Sequence, residues 1–235
     1  MGAAGQEYDN EYLSLYRSRL RSLIELTRPA FQRRDGDAKD AMSTRKSSRT
    51  SEQLQLTPLS VLYVKTMIAP LRRLYSWGVP TSEALDCIEE AVNSGSGGEG
   101  AASAGVVEVG AGTGYWASLL RRRGIPVTAY DLHPCHDPEP NGHHKLLGRG
   151  NPPPFTEVTR GGAEAAANYD DDDDEDEASR RVLMLCWPPR EDPVDEVRSD
   201  VSGMAATALR SFRGDTIVYV GEVSEVEKEK EKKKK

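Results

Sequence analysis

The stretch VVEVGAGTGYWA, from Val106 to Ala117, decides the fold of this chain. Its apolar first half is typical of a short buried strand, and the stretch YWASLLRRRG reads as a helix that Gly124 closes. Between the two lie Gly110, Gly112 and Gly114, where the absence of a Cβ atom lets the backbone turn sharply and approach a ligand. The stretch therefore predicts a strand, a glycine-rich turn and a helix, with a ligand at the turn.

Downstream of this turn the sequence alternates between strands and helices. IPVTAYD predicts a second strand, and FTEVT, RVLMLCW and DTIVYVG predict three more. AEAAA and VDEVRSDVSGMAATALRSF predict helices between them. This alternation predicts an α/β fold for residues 106–222, a doubly wound and mostly parallel sheet whose ligand lies beyond the carboxyl ends of the strands.

A helix is also predicted near the start of the chain. Apolar residues recur at helical spacing from Asp9 to Thr27, with Asp9 or Asn10 as the N-cap, and Pro29 ends the pattern. The sequence that follows has no periodicity, and we expect a disordered insertion near residues 32–56.

Two further helices are predicted before the glycine-rich turn. The dipeptide Thr57-Pro58 combines a cap with a first-turn proline, and Pro70 should kink the helix that it begins. Thr81 caps the next helix. We assign residues 1–93 to an α-helical N-terminal extension and the glycine-rich residues 94–105 to a flexible linker.

Composition and charge limit the class of protein. A length of 235 residues suits one medium domain with an appendage, and a formal net charge of -7 argues against a general nucleic-acid binder. The 3 cysteines are scattered and odd in number, which predicts a reducing compartment and no disulfide framework. The N-terminus MGAAGQEYDN has no apolar core of a secretory signal, and no apolar run approaches the length of a membrane span. We expect a cytoplasmic protein without a membrane partner, and the sequence leaves a nuclear location open.

Two acidic residues accompany the glycine-rich turn. Asp131 ends the second predicted strand, where a carboxylate can accept both hydroxyl groups of a ribose. Glu108 lies on the first strand, two residues before Gly110. The pattern EVGAGTG followed by VTAYD resembles motif I and the second-strand acid of class I S-adenosylmethionine-dependent methyltransferases, which have a Rossmann-like fold. The resemblance covers roughly the second half of the chain.

The resemblance implies S-adenosylmethionine as the cofactor. It implies that the turn wraps the methionine portion, that the second-strand acid holds the ribose, and that the first-strand acid orients the turn or the cofactor's amino group. The implied cofactor-binding residues are Glu108, Gly110, Ala111, Gly112, Gly114 and Asp131.

The stretch LMLCWPP ends the fourth predicted strand, which faces the sulfonium in this family. Members that methylate amines carry Asp or Asn, two prolines and an aromatic residue there, whereas this chain has Trp187 before the prolines and Arg190 after them. Methylation of an adenine or cytosine amine is therefore not indicated. Trp187 could stabilise a sulfonium by about 1 kcal/mol, or it could be a core or hinge aromatic. Cys186 could be a nucleophile, although a cysteine in an apolar run is more often buried.

Two further residues complete the candidate reaction site. Pro188, with Pro189, would fix the loop that shapes the site. Glu222 follows the fifth strand on the same edge of the sheet, and it is either a polar contact for the substrate or a solvated carboxylate. The candidate catalytic residues are therefore Trp187, Pro188 and Glu222, and the methyl acceptor is unidentified.

The loop DLHPCHDPEPNGHH after the second strand suggests a metal site, but its spacing fits no closed zinc pattern. We expect no metal. Its possible ligands are His133, Cys135, His136, His143 and His144.

Two alternative functions remain open. GTGYWA fits the dinucleotide fingerprint G-x-G-x-x-A, which would indicate an NAD(P)-dependent oxidoreductase. Gly110 at the strand end, with an acid two residues earlier, favours the methyltransferase. The second alternative is a non-catalytic, methyltransferase-like interaction protein.

The end of the chain departs from the family pattern. The family follows its fifth strand with a helix and two more strands, whereas residues 223–235 are a Lys/Glu tail of low complexity. Either this is a shortened form of the family's fold, or a partner chain covers this edge, because an uncovered strand DTIVYV would expose unpaired backbone groups. The acidic run YDDDDDEDE precedes the fourth strand and is expected to be a solvated loop away from the ligand.

Overall fold

The computed structural model describes residues 10–40, 58–94, 105–138, 141–146, 150–168, 180–189 and 203–221, without the side chains of residues 28–40. The chain divides into two compact units, Met1–Arg72 and Arg73–Lys235.

The first helix, α1, spans Glu11–Asp40. Asn10, which is one of the two predicted N-caps, caps this helix because its Oδ1 accepts the Leu13 N–H at 3.1 Å. The predicted end at Pro29 is wrong, and so is the predicted disorder as far as residue 40. A proline removes one backbone hydrogen bond and can bend a helix without ending it. The remainder of the predicted insertion, residues 41–56, lies outside the described residues.

A second helical segment contains a π turn. Helix α2 (Pro58–Tyr63) is followed by the π turn Val64–Ile68 and by helix α3 (Ala69–Leu74). The Ala69 N–H donates to the Val64 carbonyl, five residues back, which is the hydrogen bond of a π turn. The kink predicted at Pro70 stays a prediction, and the π turn ends two residues before this proline.

Helix α4 spans Ser82–Ser94 and buries Leu85, Ile88 and Val92. Thr81 caps it as predicted, because its Oγ1 accepts the Ala84 N–H at 3.2 Å. The predicted linker falls almost wholly on residues 95–104, which lie outside the described residues.

The predicted α/β fold is confirmed by a five-stranded sheet in the order β3-β2-β1-β4-β5. Each neighbouring pair of strands is parallel, which makes the sheet Rossmann-like. The strands are β1 (Val106–Val109), β2 (Val127–Asp131), β3 (Thr159–Arg160), β4 (Val182–Cys186) and β5 (Thr216–Val220). The flanking elements are α5 (Tyr115–Arg122), a 3-10 helix (Ala163–Ala167) and α6 (Met204–Ser211).

Three elements differ from the prediction in length or type. Strand β3 has only 2 residues and begins where the predicted FTEVT ends, after the prolines at residues 152–154, which cannot donate to a ladder. AEAAA is a 3-10 helix, and the helix predicted over residues 194–212 is described from Met204 onward.

The sheet centre is buried on both faces. All residues of β1 are buried, and so are the first four of β4, as expected for central strands between helices. Strand β5 alternates instead, with Ile217 and Tyr219 exposed. The expected partner chain at this edge remains a prediction. None of the described helices combines the length and apolarity that a membrane span requires.

The N-cap of α4 gives a first test. Replacing Thr81 with alanine leaves the Ala84 N–H without its side-chain acceptor, so we expect Thr81→Ala to lower the free energy of unfolding by about 1 kcal/mol. Urea denaturation measures this loss. Ser82→Ala, at the exposed next position, is the matched control, and an equal loss in both variants would contradict the capping role.

Candidate functional site

The glycine-rich turn joins β1 to α5 with three glycines at positive φ. At Gly112 (φ 57°) an added Cβ would overlap the His144 ring, and at Gly114 (φ 71°) it would lie 2.8 Å from Val158 Cγ2. Only glycine combines this backbone conformation with such close neighbours. Both glycines therefore shape the turn and pack it against the protein.

Four backbone N–H groups of the turn have acceptors inside the protein. Those of Gly110 and Ala111 donate to the Tyr130 carbonyl at 2.8 and 2.9 Å, and that of Gly114 donates to the Ala111 carbonyl at 2.9 Å. A phosphate site at a glycine-rich turn needs N–H groups that point freely at the anion. These three donors are already engaged.

The fourth donor belongs to Gly112, whose N–H donates to Asp131 Oδ2 at 2.8 Å. The other carboxylate oxygen of Asp131 accepts the His133 N–H at 2.9 Å and the Asn141 side-chain amide at 3.2 Å. Asp131 thus ties the end of β2 to the glycine-rich turn and to the loop that follows. A carboxylate offers about four acceptor sites, so capacity remains for a hydroxyl group of a ligand.

A cavity of about 840 Å³ lies at the carboxyl ends of the strands. Six of the predicted site residues line it, namely Glu108, Gly110, Ala111, Asp131, Trp187 and Pro188. Gly112 and Gly114 are buried beneath it and are not among its lining residues. Glu222 lies outside the described residues.

Sequence reasoning did not place several other residues in the cavity. They are brought there by tertiary structure, from the segment before α4, the 3-10 helix, helix α6 and strand β5. Those with large or charged side chains are Trp77, Glu164, Met204 and Tyr219. Trp77 lies in the stretch WGVP between α3 and α4, and its indole is the signal in the sequence that could have marked this segment.

Besides three histidines, the titratable groups of the cavity wall are mainly carboxyl groups. Its carboxyl groups come from Glu108, Asp131 and Glu164, and no lysine or arginine occurs among the described residues that line it. A concave site with acidic groups and low-dielectric walls concentrates cations and repels anions. The wall therefore suits a ligand with positive charge better than one with phosphates.

Glu108 is buried in the central strand with 1% of its surface exposed. Desolvation, with a smaller contribution from the nearby Asp131 charge, raises the pKa of its carboxyl group to about 8, against the opposing effects of the Ala117 N–H and Arg121. Its Oε2 has no hydrogen-bond partner among the described residues. Glu108 is consequently a neutral acid at neutral pH.

Trp187 is the only non-glycine residue with positive φ in the described part of the chain, at 53°. This conformation is costly for a bulky residue, and more so before a proline. The Trp187 N–H donates to the Val220 carbonyl at 2.6 Å, which holds the strained backbone. Strain of this kind is often found at functional sites. Here it places an indole with 37% exposure in the cavity wall.

The neighbouring Cys186 also lines the cavity. Burial, together with the Glu108 charge, raises the pKa of its thiol to about 12. Because the thiolate is the nucleophilic form, the raised pKa argues against a nucleophilic role for this half-buried cysteine.

The histidine-rich loop uses its side chains within the protein. His144 Nδ1 lies 3.0 Å from the Arg73 carbonyl, and Cys135 Sγ donates to the Gly112 carbonyl at 3.6 Å. In the parts of the chain that the structure describes, no three histidine, cysteine or acidic side chains group as metal ligands.

Comparisons with known proteins give no match: no protein-family model fits the chain, and neither curated proteins nor solved structures resemble it significantly.

A pair of glycine variants tests the packing of the turn. Gly114→Ala puts an L-residue at positive φ and a Cβ against Val158, so we expect a loss of about 2–4 kcal/mol in the free energy of unfolding. Gly124→Ala, also at positive φ but with no atom within 4 Å of the added Cβ, should lose only about 1–2 kcal/mol. Equal losses in denaturation experiments would show that the clash is unimportant.

The protonation of Glu108 gives a pH-dependent prediction. The unfolded chain has an ionised Glu108 above about pH 4.5, whereas the folded chain holds the proton up to about pH 8. Raising the pH between about 6.5 and 8 therefore favours unfolding, by up to about 1.4 kcal/mol per pH unit for one proton. We expect this slope in wild-type denaturation curves.

Glu108→Gln, which carries no titratable proton, should remove most of that slope. The lowered pKa of the buried His144 affects stability only below about pH 6.5, so it does not interfere. The same slope in both proteins would show that Glu108 is ionised in the folded state.

Proposed function

We propose that this protein binds S-adenosylmethionine in the cavity and transfers its sulfonium methyl group to an acceptor that is not yet identified. One observation carries the proposal. The cavity lies beside a glycine-rich turn, and its described lining residues include carboxyl groups but no lysine or arginine. S-adenosylmethionine carries a sulfonium and an ammonium group and has no phosphate.

The hydrogen bonds of the glycine-rich turn, together with the carboxyl groups of the wall, disfavour the nicotinamide alternative. A dinucleotide places its pyrophosphate on free backbone N–H groups of the glycine-rich turn. Here the Gly112 N–H donates to the Asp131 carboxylate, and those of Gly110 and Ala111 donate to the Tyr130 carbonyl. A pyrophosphate would also lie beside a carboxylate without a compensating cation from the described wall.

The residues of the cavity suit the parts of the proposed cofactor. Gly110 and Ala111 present backbone without bulky side chains next to Glu108, and the free acceptor capacity of Asp131 suits a ribose hydroxyl. Gly112 and Gly114 would act through the shape of the turn and not through contact.

Trp187 and Pro188 line the part of the wall after β4, where the proposed transfer takes place. The indole face stabilises a nearby sulfonium, and the two prolines restrict the loop that carries it. Methyl transfer requires alignment of acceptor and donor in a dry site, and a base only when the acceptor must lose a proton. Glu222 keeps its proposed role as a polar substrate contact.

Calorimetric titration with S-adenosylhomocysteine, and with NAD(H) in a parallel cell, tests the proposal. We expect micromolar binding of S-adenosylhomocysteine and none of NAD(H). Binding of NAD(H) alone would favour the oxidoreductase. Binding of neither would overturn the proposed function and favour a non-catalytic interaction protein.

Asp131→Ala sharpens this test. Loss of its hydrogen bonds should weaken binding by about 1.5–3 kcal/mol, provided that a denaturation curve shows the variant to be folded. Asp215→Ala, which removes an exposed carboxylate outside the cavity lining, is the control and should bind like the wild type. Equal affinity of both variants would remove Asp131 from the binding site.

A further inference from the structure

Glu108 is the one carboxyl group of the cavity wall that lies within a central strand. Its neighbours in the sheet are Ala129 on β2 and Met184 on β4, both buried apolar residues. The carboxyl group receives a hydrogen bond from the Ala117 N–H, at the start of α5, and its Oε2 has no partner among the described residues. One oxygen atom of this buried acid is thus enclosed at the cavity wall without a hydrogen-bond donor.

The charged groups around Glu108 do not offset the cost of its ionisation. Asp131 on β2 adds a negative charge, and Cys186 on β4 is a neutral thiol. Arg121 on α5 is the favourable neighbour, but its guanidinium donates to the Val127 carbonyl at 2.7 Å and to the Glu157 carbonyl at 3.2 Å. Burial therefore dominates, and the pKa of Glu108 lies near 8.

We propose that Glu108 is a neutral acid in the free protein, and that a ligand which brings an ammonium group to this point of the cavity ionises it, so that one proton leaves as each ligand binds. This exchange rests on the proposed function, which supplies the ligand.

Binding replaces one positive charge, the proton on Glu108, by another, the ammonium group of the ligand. In the free protein a proton neutralises the carboxyl group, because a bare carboxylate has little solvation there. An ammonium group at hydrogen-bond distance supplies both the charge and the donor that Oε2 lacks. The carboxyl O–H bond breaks, its proton passes to the buffer, and the ligand keeps all of its own protons.

Two consequences follow for binding. Affinity should rise with pH until Glu108 is ionised in the free protein, because less of the binding energy is then spent on removing the proton. The site should also select by charge, since a ligand without an ammonium group leaves Glu108 protonated.

Calorimetry in buffers of different ionisation enthalpy counts the protons released. With S-adenosylhomocysteine at about pH 7, we expect the wild type to release about one proton per ligand, and its affinity to rise about tenfold or more between about pH 6.5 and 8. 5′-Methylthioadenosine, which lacks the ammonium group, should bind without this release.

Two variants assign the proton. Glu108→Gln imitates the protonated acid. The number of protons released when the ligand binds should therefore fall by about one, and the affinity for the ligand should change little with pH. Glu164→Gln removes another carboxyl group of the same wall and should keep the wild-type release. Histidines of the wall are unchanged in both variants, so the difference between them belongs to Glu108.

The outcomes separate the two proposals. Binding of S-adenosylhomocysteine without proton release, or with equal release in Glu108→Gln, overturns the proton exchange and leaves the proposed function intact. If Glu108→Gln does not fold, the pH dependence of the wild-type release decides: release that persists towards about pH 8 belongs to Glu108, and release that has ended by about pH 7 overturns the proton exchange. The absence of binding at every pH overturns both.

Discussion

The hydrogen bond from the Gly112 N–H to the Asp131 carboxylate is the constraint on which the site depends. It joins the end of β2 to the turn that leaves β1. The same carboxylate accepts the His133 N–H and the Asn141 side-chain amide, so it also fixes the loop beyond the strand. Without it, the glycine-rich turn and the loop beyond β2 would lose their common acceptor. One carboxylate therefore holds together two segments that line the cavity.

Glu108 and Asp131 lie on adjacent strands and take different roles because their surroundings differ. Three donors surround the carboxylate of Asp131, whereas Glu108 has a single backbone donor and apolar neighbours on both adjacent strands. A buried carboxyl group with few donors retains its proton. The cavity therefore combines one structural carboxylate with one acid whose charge depends on the ligand.

Local sequence patterns predicted much of the fold. Short-range hydrogen bonds determine helix caps, and burial determines apolar central strands. The sequence therefore predicted the caps at Asn10 and Thr81 and the strands β1 and β4 directly. The predicted end of α1 at Pro29 was wrong because a proline disfavours a helix without forbidding it. The length of β3 depends on its pairing with β2, which no local pattern contains.

The candidate site was predictable only in part. Glu108, Gly110 and Asp131 follow from their places at the strand ends, and all three line the cavity. The burial of Gly112 depends on the His144 ring, which comes from 32 residues further along the chain. The positive φ of Trp187 depends on its bond to Val220. Long-range contacts of this kind leave no signature in a single sequence.

A crystal structure of the protein with S-adenosylhomocysteine is the most direct measurement of the central claim. The account predicts that the ligand lies in the cavity, with its ammonium group at Glu108 and a ribose hydroxyl at Asp131. Ligand density elsewhere, or an empty cavity at saturating ligand concentration, would contradict it.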